Sequence, residues 1–445
     1  MRILDWNNLD EPGRREALAR PQFQVEQHLA RHARDVIAQV RRDGDAALRS
    51  LTERFDRVWL ESNVVTPREF AEARDALTRD QIAALGRAIA NVQRFHEAQI
   101  PRPIVLETEP GVRCEEIIRP IATAGLYVPG GTASLPSSVI MLGVPARLAG
   151  CPQRILCTPP QPGGTAHPAV LAAAQLCGID AVFKVGGAQA VAALAYGTES
   201  IPKVDKIFGP GNGWVTAAKQ LVAHDPQGAA CDLPAGPSEV LVLADAEARA
   251  DFVAADLLAQ AEHDTLAQAM LVTDSRSLAE GVSAWLHRQR RELKRQGILA
   301  HSLGACRGIL VPDLDAGIEL VNAYAPEHLI LQVRKPRRWL GNIRSAGSVF
   351  LGEWSPETLG DYCSGTNHVL PTYGHARAVS GLSVRDFIKT IVVQEVSPVG
   401  LRALGPTAIA LAELEGLDGH ANAVARRLAA VRASEPRTLE LPAGV

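Results

Sequence analysis

The stretch Leu258-Ala259-Gln260-Ala261-Glu262-His263-Asp264 closes a run, Phe252 to Ala261, whose apolar residues recur at helical spacing. On a helix, positions i and i+3 share a face, so Gln260 and His263 point the same way. An imidazole suits zinc or a similar divalent ion, and an amide oxygen is a rarer partner for it. Two ligands do not make a site, and a glutamine and histidine on a solvated helix end would look the same. Further along, Ala325-Pro326-Glu327-His328-Leu329 sets a carboxylate beside an imidazole just before an apolar strand. Histidine titrates at about 6.5 when unperturbed and is the natural proton acceptor for an alcohol. Adjacent residues inside a strand face opposite ways, so Glu327 and His328 can serve one site only from a loop.

Two more stretches carry suitable groups. The glycine-rich loop from Gly360 to His368 offers Asp361 as an oxygen ligand and His368 as a contact to ligand or substrate, although turn chemistry also accounts for them. Glu415-Gly416-Leu417-Asp418-Gly419-His420 adds a carboxylate and an imidazole between two helical runs, with Asp418 reading as an N-cap. Cys231 and Cys363 lie near these loops and could be thiol nucleophiles for aldehyde oxidation, but neither has a local context that demonstrates an activated thiol, so both read as structural.

The elements that must position these groups alternate. Residues 1 to about 100 read as helical, with Gln24–Arg42 and Arg68–Ala98 periodic, Ser50 to Asp56 a connecting segment that ends a helix, and no chemistry evident. From Pro120, short apolar strands alternate with helices: Ala124–Val128, Arg154–Thr158, Ala181–Val185 and Lys206–Phe208. The rhythm restarts at Glu239–Leu243 and runs through Ala269–Thr273, Gly308–Pro312, His328–Val333 and Ser348–Leu351. The expected fold is α/β, two Rossmann-like doubly wound parallel-sheet domains with helical N-terminal and C-terminal segments. Its segments are 1–115, 116–237, 238–380 and 381–445. Ligands in such folds bind at the carboxyl ends of the strands. Three glycine clusters follow strands, Pro129-Gly130-Gly131, Gly186-Gly187 and Gly209-Pro210-Gly211-Asn212-Gly213. They suit either a dinucleotide or simple tight turns, and Trp214 stands where the usual dinucleotide fingerprint has its third glycine.

Composition narrows the classes. With 47% hydrophobic and 21% charged residues, the 445-residue chain is globular, and a net charge of -3 gives no electrostatic case for nucleic acid or a membrane surface. No uncharged apolar run reaches membrane-spanning length, and the first residues lack a signal-peptide core. Seven cysteines without a Cys-x-x-Cys pair argue for a reducing compartment, and the cytoplasm is expected.

Together these stretches resemble the histidinol dehydrogenase family. The likeness is carried by Gly125-Leu126-Tyr127-Val128-Pro129-Gly130-Gly131, Gly186-Gly187-Ala188-Gln189-Ala190, Phe208-Gly209-Pro210-Gly211-Asn212 and Pro234-Ala235-Gly236-Pro237-Ser238-Glu239. It continues through Gln260-Ala261-Glu262-His263-Asp264, Pro326-Glu327-His328-Leu329, Ser364 to Pro371, Ser380 to Val384 and Glu415 to His420. The family often has tyrosine where Trp214 stands, a departure that touches no catalytic group. The resemblance implies oxidation of L-histidinol to L-histidine through the aldehyde, reducing two NAD, the last steps of histidine biosynthesis. It implies one zinc per subunit on Gln260, His263, Asp361 and His420, and NAD on Tyr127, Gln189 and Asn212. Substrate contacts are implied for Ser238, Gln260, His263, His328, Asp361, Glu415 and His420. Glu327 and His328 become the acid/base pair, and a homodimer with shared active sites is implied. A related dehydrogenase for another polar alcohol would lack a reason for Glu415, which suits a substrate ammonium. A regulatory metal-binding protein without turnover would lack one for the Glu327-His328 pair.

Overall fold

The structure, a computed structural model, describes residues 1–20, 27–130, 134–179, 181–233 and 236–433. Gly131 of the first glycine cluster, Pro234 and Ala235 of the Pro234–Glu239 motif, and Gln24 to Glu26 of the first expected helix lie outside the described residues. By its internal contacts the chain divides into two compact units, the first formed by Met1–Ile100 with Pro120–Phe387. The second comprises Pro101–Arg119 and the chain from Ile388 on. Among the described residues no helix is long and apolar enough to cross a membrane.

The first unit holds two parallel sheets. Across the five-stranded sheet the order is Ala181–Lys184, Gln153–Thr158, Thr123–Tyr127, Lys206–Phe208 and Ala230–Cys231. Numbered along the chain this is 3-2-1-4-5, with the reversal of direction between Thr123–Tyr127 and Lys206–Phe208. The six-stranded sheet repeats that order with Arg307–Leu310, Gln268–Thr273, Glu239–Ala244, His328–Gln332 and Ser348–Leu351. Arg2–Asp5 adds a sixth, parallel strand beside Arg307–Leu310. The expected pair of doubly wound sheets is therefore present, but the chain starts in a strand of the second one.

Side-chain alternation explains why both faces of each sheet are apolar. Ala124, Leu126, Leu156 and Phe208 pack with the helices Pro136–Leu148 and Pro168–Leu176, while Tyr127, Ile155, Cys157 and Ile207 face the other way. That second face is covered by Gly187–Tyr196, Gly213–His224 and the helical stretch Gln27–Asp56, which kinks at Gly44 (φ 52°). Ser50 to Asp56 ends a helix as expected, and is itself helical rather than a connection. The expected Arg68–Ala98 helix is two, Pro67–Asp75 and Arg79–Glu97, each begun by a capping box, Thr66 with Glu69 and Thr78 with Gln81.

In the second unit, Ile388–Val396, Val112–Pro120 and Ile104–Glu109 form a three-stranded sheet, followed by the helices Pro398–Leu414 and Asp418–Ala433. The tail is therefore part strand. Asp418 is the first residue of the last helix, with Leu417 accepting from the His420 and Ala421 N–H groups, so the N-cap position falls one residue earlier than expected.

Candidate active site

At the carboxyl edge of the five-stranded sheet the glycine turns are drawn against one another. A Cβ on Gly130 would come 2.4 Å from Pro159 Cγ, and one on Gly186 would come 2.6 Å from Pro159 Cβ. Gly209, at φ +123°, leaves only 2.1 Å between such an atom and the Tyr127 carbonyl oxygen. Close packing of turns therefore accounts for these glycines directly. Gly209 is also clamped, its N–H donating to Asp232 at 2.7 Å and its carbonyl accepting from Lys219 at 2.9 Å, with Lys219 and Asp232 ion-paired.

Tyr127, Gln189 and Asn212 all belong to this edge. Tyr127 ends its strand, and its hydroxyl accepts from the Gly187 N–H at 3.0 Å. Gln189 is buried in the first turn of the helix that Gly187 begins. Asn212 caps the next helix, its Oδ1 accepting from Trp214 and Val215.

The second group of residues gathers at the opposite edge of the other sheet. Glu239 and His328 are the first residues of neighbouring strands, so the acid/base cluster lies at the amino ends, not at the carboxyl ends where ligands were expected. A left-handed Ala325 (φ 53°) ends the helix Leu314–Tyr324, and Pro326 follows it into the strand. This turn places Glu327 outside the strand, and it reaches the same place as His328 despite being adjacent. Glu327 Oε2 accepts from the Glu239 N–H at 2.8 Å, and His328 Nδ1 donates to the Glu239 carbonyl at 3.1 Å. Their own separation is 3.7 Å. His328 Nε2, buried and without a hydrogen-bond partner, lies 3.5 Å from Asp361 Oδ1.

Glu357 completes the cluster and was not anticipated. It lies 3.8 Å from His328 Nδ1 and shares with Asp361 the short helix Glu357–Tyr362. A carboxylate four residues before another on a helix was the signal that could have found it. Glu357 also orients Gln260, whose hydrogen-bond partners place the amide nitrogen 2.9 Å from Glu357 Oε1 and the oxygen 3.0 Å from His263 Nδ1. The helix carrying Gln260 ends at Ala261, and a turn in which the His263 N–H donates to the Gln260 carbonyl brings His263 back to the same side. His368 Nδ1 bonds the Asp361 carbonyl at 2.7 Å, and its Nε2 is 3.4 Å from Ser138 Oγ. Ser238 immediately precedes the Glu239 strand. Glu415 and His420 are exposed residues of the second unit.

Burial governs the protonation of this cluster. It pushes Glu327 up to about 8, against the opposing pull of His328, and holds Glu357 well above the usual carboxylate range. For His328 burial works against the imidazolium, but Glu357, Glu327 and Asp361 outweigh it and hold the ring well above its usual value. Asp361, despite burial, is held below its ordinary range by His328. Burial pushes Cys231 up to about 11, in keeping with a structural thiol.

The comparisons with known proteins fall on this geometry. The histidinol dehydrogenase family model matches residues 18–428. Histidinol dehydrogenase of Xanthomonas euvesicatoria pv. vesicatoria (strain 85-10) is 54% identical over 428 residues, covering 96% of this chain and 99% of the relative. Its counterpart in Vibrio vulnificus (strain CMCP6) is 51% identical over the same length, covering 96% and 98%. The crystal structure of histidinol dehydrogenase from Elizabethkingia anophelis superposes with a TM-score of 0.93 at 42% identity, over 97% of this chain and 99% of that one. Two Rossmann-like sheets, with buried carboxyl groups around an imidazole, thus belong to an NAD-dependent oxidoreductase. The chain is a member of the histidinol dehydrogenase family.

Asp256, on the helix that carries Gln260, provides a pH test of the burial around the site. Burial pushes its carboxyl up to about 7, and its Oδ2 accepts from Gln332 at 2.8 Å. The folded chain keeps this proton from the ordinary carboxylate range up to about pH 7, where the unfolded chain has released it, so stability falls as pH rises through that window. Asp256→Asn removes the dependence. Thermal unfolding of the variant should gain on the wild type between about pH 4 and about pH 7, by an amount on the order of a few kcal/mol. A midpoint difference that stays flat across that range would contradict the assignment.

Proposed function

We propose that the chain oxidises L-histidinol to L-histidine through L-histidinal, reducing two NAD, with one zinc ion per subunit. The observation that carries this reading is the buried His328 ring, tethered at Nδ1 and making no hydrogen bond at Nε2, with Glu327 fixed to the same residue, Glu239.

The residues present fit both groups. Gln260 and His263 bring an amide oxygen and an imidazole nitrogen within 3.0 Å of each other, and the hold of Glu357 on the amide nitrogen leaves that oxygen facing His263. With Asp361 they make three members of a mixed N/O ligand set, leaving the rest of the metal shell to a fourth side chain and to the substrate. The fourth is assigned to His420. Zinc, when bound there, anchors and orients the substrate's imidazole and amine. Tyr127, Gln189 and Asn212 stand at the sheet edge where doubly wound folds hold nucleotides, and NAD bound there supplies the hydride acceptor.

The remaining steps belong to the chain's own side chains. In its neutral form His328 receives the alcohol proton at Nε2 while its Nδ1–H stays on the Glu239 carbonyl, and the surrounding carboxyl groups favour the imidazolium that results. Glu327, with a proton affinity raised by burial, takes a proton from water as that water adds to the aldehyde. His328 accepts again in the second oxidation. Ser238 and Glu415 contact substrate, Glu415 as partner to the ammonium. The cytoplasm suits a chain whose seven cysteines are all free.

We assign His420 and Glu415 to a homodimer with shared sites. The second unit carries exposed Ile104, Val105, Leu106, Leu411 and Leu414, Leu414 at 83% exposure, an apolar surface of the kind that partners cover.

Four measurements test this reading. Adding L-histidinol and NAD should produce two NADH per substrate, and His263→Ala should lose zinc and activity together while remaining folded. Full activity of that variant after dialysis against chelator would sink the metal assignment. Glu327→Gln should impair chiefly aldehyde oxidation and His328→Asn both half-reactions; equal loss of both in Glu327→Gln would refute the division. Finally, His328→Asn and His420→Ala, each nearly inactive alone, are refolded together. In a shared-site heterodimer one site collects both substitutions and the other neither, so roughly a quarter of wild-type sites should return. Mixed dimers without recovered activity would mean that the tail serves its own chain.

A further inference from the structure

One buried ion pair has no part in the reaction as described. Arg20 places Nε 2.5 Å from Glu239 Oε1 and Nη2 2.8 Å from Oε2, a two-pronged bond to a carboxylate with no exposure. The same guanidinium donates to the Tyr324 carbonyl at 2.9 Å and lies 3.8 Å over the Tyr324 ring. Its backbone is secured too, because Arg307 donates to the carbonyls of Glu16, Ala17 and Ala19, the residues leading into Arg20.

Glu239 is the residue whose N–H holds Glu327 and whose carbonyl holds His328. Its side chain accepts one further bond, from the Tyr373 N–H at 3.0 Å. Both acid/base groups thus hang from a single peptide segment, and a guanidinium from the N-terminal segment fixes the side chain of that segment. A buried ion pair contributes little net stability compared with apolar packing, but removing one partner leaves an uncompensated charge. Here that charge would sit on the side chain of the same residue whose N–H and carbonyl hold the acid/base pair.

We propose that Arg20 is a positioning residue for the oxidation, setting the places of the Glu327 carboxyl and the His328 ring through Glu239. The inference rests on the assignment of Glu327 and His328 as the acid/base pair.

The test compares Arg20→Ala and Arg20→Lys with wild type, measuring kcat and KM for both half-reactions, zinc content and thermal unfolding. A displacement of reacting groups by about 1 Å costs about a hundredfold in rate, so Arg20→Ala should lose about that much kcat in both half-reactions. Its KM for histidinol and NAD and its zinc content should change little. Added guanidinium should restore much of the lost kcat in Arg20→Ala and none in His328→Asn, a rescue that a merely structural role would not give. Arg20→Lys, whose ammonium cannot form the two-pronged bond, should keep a near-wild-type unfolding midpoint and still lose kcat. This variant carries the test if Arg20→Ala does not fold. Wild-type kcat in Arg20→Lys, or a folded Arg20→Ala that guanidinium leaves unchanged, would overturn the inference. Failure of wild type to form NADH from histidinol would instead overturn the functional reading itself.

Discussion

Everything at the amino edge of the six-stranded sheet depends on one electrostatic constraint. Three carboxyl groups, Glu327, Glu357 and Asp361, surround a single imidazole from which solvent is nearly excluded. They cannot all be ionised at once in such a place, so protons stay on Glu327 and Glu357 at pH values where an exposed carboxyl has lost its own. The surrounding architecture holds the four groups where repulsion alone would separate them. Two strand starts, a left-handed alanine, a short helix and the end of another each contribute one or two fixed points. A cluster of this kind is costly to fold and well suited to proton transfer, because its proton affinities are set by position.

The two sheets repeat one strand order, 3-2-1-4-5, yet use opposite edges. In the first, turns crowd around Pro159 at the carboxyl edge, and the glycines there are required by packing between turns. In the second, the polar groups enter where strands begin. The two edges differ in kind: one is built from backbone turns and helix starts, the other from buried side chains on strand starts.

Much of this was legible in the residues. Strand runs such as Lys206–Phe208 and Ser348–Leu351 have the bounds that apolar runs and glycine punctuation indicate. Gln260 and His263 do converge, although through a turn past the helix end and not along one helix face. What stayed hidden depends on distant pairing. Arg2–Asp5 is a short strand that becomes one only beside Arg307–Leu310, and no local periodicity announces it. Arg20 reads as one more charged residue in a helical region until Glu239, 219 positions away, accepts its guanidinium. Glu357 had a local signal, its spacing from Asp361, but only burial distinguishes it from an ordinary surface glutamate.

The pairing of Arg2–Asp5 with Arg307–Leu310 also has a consequence for how the chain is made. On a ribosome the first strand emerges with no partner, and about 300 residues must follow before its place in the sheet exists. At about 5–20 residues per second that is a wait on the order of tens of seconds. Meanwhile the five-stranded sheet, whose strands all lie between Thr123 and Cys231, can complete itself. The edge strand Arg2–Asp5 then joins a segment synthesised long after it.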